Sequence, residues 1–244
     1  MGELKGKAVV ITGGARRIGR AIALELARHG ADIAITFNTS DREARKTVVE
    51  LTALGVRAVA LHCDVRDESS IKQMIVETCR ELGGIDILVN NAAVYDTLDF
   101  NKITVRQWDD MFATNTRGPF LVSRAAAKEL SRRKGRIINV GSLGGMRPWA
   151  THIHYCSSKA ALHMLTQAMA KALAPDVAVN CVAPGMIDLK EHAASENSRH
   201  FAGKTPMKRN GAAEDVAAVV RMLATSPKYL TGQIIVVDGG LGLV

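Results

Sequence analysis

The chain has 244 residues, 47% of them hydrophobic and 23% charged, with a formal net charge of +8. That mixture suits one soluble α/β domain around a single sizeable core and excludes a disordered or collagen-like chain. The N-terminal MGELKGK carries no apolar signal region and no window approaches the ~18 apolar residues of a membrane span, so the protein is expected in the cytoplasm.

Short β-branched runs recur along the chain, each followed by a longer stretch with helical spacing of apolar residues. Strands are expected at Ala8–Thr12, Asp32–Phe37, Arg57–His62, Asp86–Val89, Arg136–Val140, Val177–Val182 and Gln233–Val237. Helices are expected near Arg17–His29, Asp41–Leu54, Ser69–Leu82, Thr104–Ala113 running on into Asn115–Arg132, Tyr155–Leu173 and Ala213–Ala224. Apolar strands alternating with helices predict a doubly wound parallel sheet, whose ligands sit at the carboxyl ends of the strands. The segment 186–210 breaks this rhythm; it is long and polar, and is expected to form a flap on the substrate side.

Taken in chain order, the strand ends carry the chemistry. TGGARRIG follows the first strand and opens the first helix, so Gly13, Ala15, Arg16, Arg17, Ile18 and Gly19 would set main-chain N–H groups and a positive helix end against a pyrophosphate. The second strand ends in Phe37-Asn38-Thr39-Ser40, where an NAD site wants a carboxylate. Phe37 stands there instead, which favours NADPH/NADP+: Asn38, Thr39 and Ser40 can donate to a 2′-phosphate and Arg16 can supply charge. Ser40 is also placed to cap the helix that starts at Asp41. After the third strand, Asp64 can accept from an adenine amino group, with Val65 beside it. After the fourth, Asn90 and Asn91 offer amides to bridge strands, and Ala92 and Ala93 are small enough for a cofactor to lie close.

The fifth strand leads to Ser142, and Tyr155 follows 13 positions later with Lys159 one helical turn beyond. A tyrosine is a weak acid-base at neutral pH. A lysine cation ~5 to 6 Å away, at an effective dielectric of ~20, would favour the phenolate by roughly 3 kcal/mol, lowering the phenol pKa by about two. Tyr155 could then give its proton to a carbonyl oxygen as hydride arrives, with Ser142 donating a hydrogen bond to the same oxygen and Lys159 holding the nicotinamide ribose. Cys63, Cys79, Cys156 and Cys181 have no metal-binding spacing, so no metal is expected. Basic residues are scattered and aromatics are only 4%, which argues against nucleic-acid binding.

These pieces, with Asn115 in TNTRG, Pro184-Gly185 in NCVAPG and the C-terminal TGQIIVVDGG, resemble the short-chain dehydrogenase/reductase family over nearly the whole length. The resemblance implies a single Rossmann-type domain over residues 1–244, with seven parallel strands in the order 3-2-1-4-5-6-7. It implies that Asn115 orders a water beside Lys159 in a proton relay, and that Pro184 to Ile187 meet the nicotinamide carboxamide for pro-S hydride transfer. It also implies a homotetramer packed through the long helices and the last strand.

Two departures stand out: Leu189 replaces a cofactor-contacting threonine, and Arg17 replaces the middle glycine of TGxxxGxG, as in the pteridine reductase branch. Ser142 is nevertheless retained, where that branch commonly has aspartate. By resemblance, Arg17 projects over the phosphates toward the active-site mouth, where it could hold an anionic or electron-rich substrate group.

The best general match is to 3-oxoacyl-[acyl-carrier-protein] reductase-like members. Arg133 matches a basic position that docks the acidic carrier there, but the second docking position falls in the acidic turn Ala174-Pro175-Asp176. Pteridine or other small carbonyl substrates remain alternatives, with Arg147, Trp149, His152 and His154 as possible pocket residues. A third reading, a non-catalytic NADP(H) sensor or scaffold, usually goes with loss of the Tyr or Lys.

Overall fold

A computed structural model describes residues 2–188 and 196–244. Seven strands, β1 (Ala8–Ile11), β2 (Asp32–Phe37), β3 (Ala58–His62), β4 (Ile87–Asn90), β5 (Arg136–Val140), β6 (Ala178–Pro184) and β7 (Ile234–Val237), form one parallel sheet in the order β3-β2-β1-β4-β5-β6-β7. The expected order is therefore observed.

β1 shows why these runs become strands. All four of its residues are buried, and because successive side chains leave opposite faces, Val9 and Ile11 enter one core while Ala8 and Val10 enter the other. On the first face lie α1 (Arg17–Arg28), α2 (Asp41–Thr52) and α8 (Ala213–Thr225), through Ile22, Leu26, Leu51, Val216 and Val220. On the other lie α3 (Glu68–Leu82), α5 (Gly118–Arg132) and α6 (Ile153–Leu173), through Ile71, Met74, Leu121, Leu130 and Met169. Each large aliphatic side chain sealed in this way contributes roughly 1.5–3 kcal/mol.

The element bounds depart from expectation where tertiary contacts intervene. β6 runs two residues beyond Val182, so Pro184 lies at its end, paired with Val237 of β7. The expected helix around Asn115 is instead α4 (Val105–Phe112), five residues of π-helix (Ala113–Arg117) and then α5. A π-helical turn widens the backbone locally and commonly marks a functional site.

The segment expected as a flap is partly described. Its described part contains a further helix, α7 (Glu196–Lys204), and its ends are tied together. Ile187 bridges Gly211, and the Asp188 carboxylate accepts from Ser198 Oγ at 2.7 Å and Asn210 Nδ2 at 3.1 Å. Leu189 lies outside the described residues.

Candidate active site

The glycine-rich turn is fastened to the neighbouring strand ends. Thr12 Oγ1 accepts from the main-chain N–H groups of Asn91 and Ala92, each at 3.0 Å, and the Asn91 amide donates back to the carbonyls of Thr12 and Gly13. The expected strand-bridging amides are thus present, with Asn90 tying β4 to Asn139 of β5 at 2.9 Å. A side chain at Gly19 would place a Cβ 2.3 Å from the Gly13 carbonyl and 2.6 Å from Asn91 Nδ2, so only glycine lets α1 start this close to the turn. Arg17, at the first position of α1, has φ of 52°, the left-handed region where glycine is favoured.

Along the carboxyl ends of the strands runs a cavity of about 580 Å³. At one end the turn residues Gly13, Ala15, Arg16, Arg17, Ile18 and Gly19 line it, followed by Asn38, Thr39 and Ser40 after β2. Asp64 and Val65 come from the end of β3, and Asn91, Ala92 and Ala93 from the end of β4. Ser142, Tyr155 and Lys159 line the other end with Pro184, Gly185 and Ile187. Every residue expected to bind the cofactor or take part in catalysis lines this one surface except Asn115.

The Asn115 side chain is fully buried and committed elsewhere. Its amide donates to Val94 O at 2.9 Å and Ser158 Oγ at 3.1 Å, and its Oδ1 accepts from Val94 N at 2.9 Å. It clamps the loop after β4 onto α6, and its neighbour Thr114 is what reaches the cavity.

At the end of the cavity beside β2, Phe37 packs edge-on against His62 at 5.8 Å, leaving no carboxylate at the end of β2. Ser40 sits at the N-cap of α2 without a side-chain cap hydrogen bond, so the expected capping role is not seen. Asp64 is gripped by Arg66, with Nη2 2.7 Å from Oδ2, and this hydrogen bond and charge hold the carboxyl below its ordinary range. Arg66 also lines the cavity. The sequence reading missed it, although a basic residue two positions past Asp64 was a visible signal.

At the end lined by Ser142 and Tyr155, Lys159 is buried and Nζ donates to Val140 O at 2.8 Å, 5.8 Å from the centre of the Tyr155 ring. Burial pushes the ammonium down to about 8. Burial likewise raises the Tyr155 phenol to about 12, with the Ser142 hydroxyl drawing it down in part. The lowering expected from the lysine charge is not seen in this cofactor-free site: burial is the largest influence on the phenol, and Lys159 Nζ donates to the Val140 carbonyl.

Ser142 Oγ accepts from Gly144 N at 3.0 Å, which fixes the turn after β5. Aromatic rings surround the phenol. Tyr95 lies edge-on at 5.0 Å and Trp149 is near-parallel at 6.4 Å, while His152 contacts both Tyr95 and Trp149. Tyr95 was not read from the sequence.

Of the other expected pocket residues, Arg147 donates instead to Gly242 O. His154 is fully buried, with neither ring nitrogen hydrogen-bonded among the described residues. Arg133 lies at the opposite edge of the sheet, where the strands begin, and pairs with Asp86 at 3.1 Å. No acid, histidine or cysteine cluster suited to a metal occurs among the described residues. Burial raises Cys63 to about 11 and Cys181 to about 12, so both stay thiols.

The family model described as Enoyl-(Acyl carrier protein) reductase matches residues 13–242. The chain is 35% identical over 240 residues to 3-oxoacyl-[acyl-carrier-protein] reductase FabG of Staphylococcus aureus, covering 96% of this chain and 98% of that one. It is 34% identical over 246 residues to L-rhamnose 1-dehydrogenase (NAD(P)(+)) of a Sphingomonas species, covering 98% and 97%. Among solved structures, a blue fluorescent protein from a metagenomic library, in complex with NADPH, superposes with a TM-score of 0.92 at 35% identity, covering 98% of this chain and 99% of that one. On the sheet order, the site geometry and these likenesses, the chain belongs to the short-chain dehydrogenase/reductase family.

Proposed function

We propose that the protein is an NADPH-dependent carbonyl reductase. The observation that carries this is the convergence of Ser142, Tyr155 and Lys159 at one end of a cavity whose other end is a glycine-rich turn with two arginines and no strand-end acid. The residues present fit a dinucleotide: Gly13 and Gly19 let the turn pack closely on Asn91 and Ala92, so that a twelve-residue helix begins at the cavity wall, with its first main-chain N–H groups there to meet a phosphate. NADPH, when bound, supplies the hydride.

The chain's own groups do the rest. Arg16, Arg17, Asn38, Thr39 and Ser40 hold the phosphates, and the Asp64 carboxylate, kept ionised by Arg66, accepts from the adenine amine. Lys159 holds the nicotinamide ribose, and Pro184 to Ile187 hold the carboxamide. Ser142 donates to the carbonyl oxygen of the substrate, and Tyr155, protonated at neutral pH, gives that oxygen its proton as the carbonyl carbon is reduced to an alcohol.

A 3-oxoacyl thioester is the substrate class supported by the likeness to FabG. A smaller ring-bearing carbonyl is the second reading, favoured by the aromatic rings around Tyr155 and by Arg133, which is ion-paired at the far edge of the sheet rather than held ready for an acidic carrier. Assembly as a tetramer is supported by exposed apolar side chains on the α4 to α6 face, among them Val105, Phe120 and Met164. A side-by-side NADPH-oxidation assay with acetoacetyl thioester, dihydropteridine and quinone substrates ranks the two classes. Tight NADPH binding with no turnover of any carbonyl would replace the enzyme reading with a sensor.

A further inference from the structure

His163 occupies α6 one turn beyond Lys159 and is 8% exposed. Its ring lies under the turn that carries Ser142. A Cβ built on Gly141 would fall 2.4 Å from His163 Nε2, and one on Gly145 would fall 2.7 Å from its Cε1. Two glycines bracketing the serine therefore make room for this imidazole, which a side chain at either would displace.

The ring also makes a directed contact. The main-chain N–H of Ser142 donates to His163 Nε2 at 3.4 Å. Within the turn, Gly144 N donates to Ser142 Oγ and Gly145 N to Ser142 O, while the preceding Gly141 N donates to Val182 O of β6. His163 is thus the group outside the turn that receives a hydrogen bond from the serine's own backbone. The contact requires Nε2 to be unprotonated, and with Nε2 accepting the proton belongs on Nδ1. Burial first and the Lys159 charge second hold the imidazole down to about 4, so it stays an acceptor throughout the neutral range.

We propose that His163 is a positioning residue for Ser142: as a buried neutral acceptor seated between Gly141 and Gly145, it fixes the serine main chain so that Oγ is presented to the substrate oxygen. This rests on the reading of Ser142 as the donor to that oxygen. A buried main-chain N–H left without an acceptor costs about 1–3 kcal/mol, so removing the acceptor drives the turn to another conformation. A shift of about 1 Å in a catalytic donor can cost as much as a hundredfold in rate.

The test compares His163→Leu, which removes the acceptor, with His163→Gln, whose amide oxygen can replace it, both in the full-length protein with NADPH and a carbonyl substrate it turns over. His163→Leu is expected to lower kcat by about tenfold to a hundredfold, with the Kd for NADPH by fluorescence titration unchanged, and His163→Gln to recover most of the loss. In the Ser142→Ala background the same His163→Leu change is expected to cost less than about twofold, because the group it positions is gone. Wild-type kcat in His163→Leu, an equal loss in the Leu and Gln variants, or the same factor with and without the Ser142 hydroxyl each overturns the role.

If His163→Leu does not fold, His163→Asn, whose amide is too short to reach the turn, is compared with His163→Gln under the same expectations. Full activity in Ser142→Ala alone removes the reading of Ser142 and this proposal with it. An impaired Ser142→Ala beside a fully active His163→Leu removes only the positioning role.

Discussion

Replacing Lys159 with methionine should expose what this buried cation costs the fold. Its amine moves from an ordinary value of 10.5 down to about 8 because burial strips its hydration. At about 1.4 kcal/mol per pH unit, the charged form is disfavoured in the folded protein by about 3 kcal/mol. Between those two values the unfolded chain binds more protons than the folded one, so stability rises with pH. The penalty is fully present below about pH 8 and gone above about pH 10.5.

Methionine removes the penalty at similar volume but leaves Val140 O, now bonded at 2.8 Å, without its donor, at a cost of about 1–3 kcal/mol. Lys159→Met should therefore be neutral or up to about 2 kcal/mol more stable at pH 7, and its advantage should shrink by about 2 kcal/mol between pH 7 and pH 10. Urea unfolding of the cofactor-free proteins across that range measures it, while turnover is lost in the variant. A stability difference that does not change with pH would refute the reasoning, since it would mean that the lysine carries no burial penalty.

Three further outcomes are expected. Tyr155→Phe should abolish reduction while leaving NADPH affinity nearly unchanged; in the wild type, oxidation of the alcohol needs the phenolate, so its rate should climb with pH toward about 12 while reduction stays level through neutral pH. A rate of oxidation independent of pH from 7 to ~10 would count against Tyr155 as the proton carrier. Phe37→Asp should move cofactor preference from NADPH toward NADH, read as the ratio of kcat/KM values, because a carboxylate at the end of β2 repels a 2′-phosphate and accepts from a ribose hydroxyl. Arg17→Gly should stabilise the cofactor-free fold by about 1 kcal/mol by relieving a φ of 52°, and weaken NADPH binding by removing a charge from the cavity; a loss of stability would show that the arginine side chain outweighs the strain.

Much of the site was legible because parallel α/β topology converts linear order into spatial order. Once the runs ending at Ile11, Phe37, His62, Asn90, Val140 and Pro184 are strands of one parallel sheet, the residues just after each must share an edge. Gly13, Asn38, Asp64, Asn91 and Ser142 did not have to be matched individually to be placed along one crevice, whereas Gly185 was expected there through the family resemblance. Helical spacing similarly brought Lys159 next to Tyr155.

Pattern could not supply direction and hydration. That Lys159 aims at Val140 O, that burial raises rather than lowers the Tyr155 phenol, and that the Asn115 amide is spent on Val94 and Ser158 depend on which neighbours close around each group. Tyr95 was not legible at all; Trp149 and His152 were expected in the pocket, but that Tyr95 and Trp149 meet at the Tyr155 phenol, with His152 packed on both, depends on two loops far apart in sequence.

His163 illustrates the division most sharply. In sequence it is one more residue on the buried face of a long helix; folded, it sits between two glycines under Ser142. Sequence periodicity decided which residues lie at the crevice, because strand and helix repeats are local. Only the packed structure decided what each one does there, because protonation and hydrogen bonding are set by the surroundings that folding assembles.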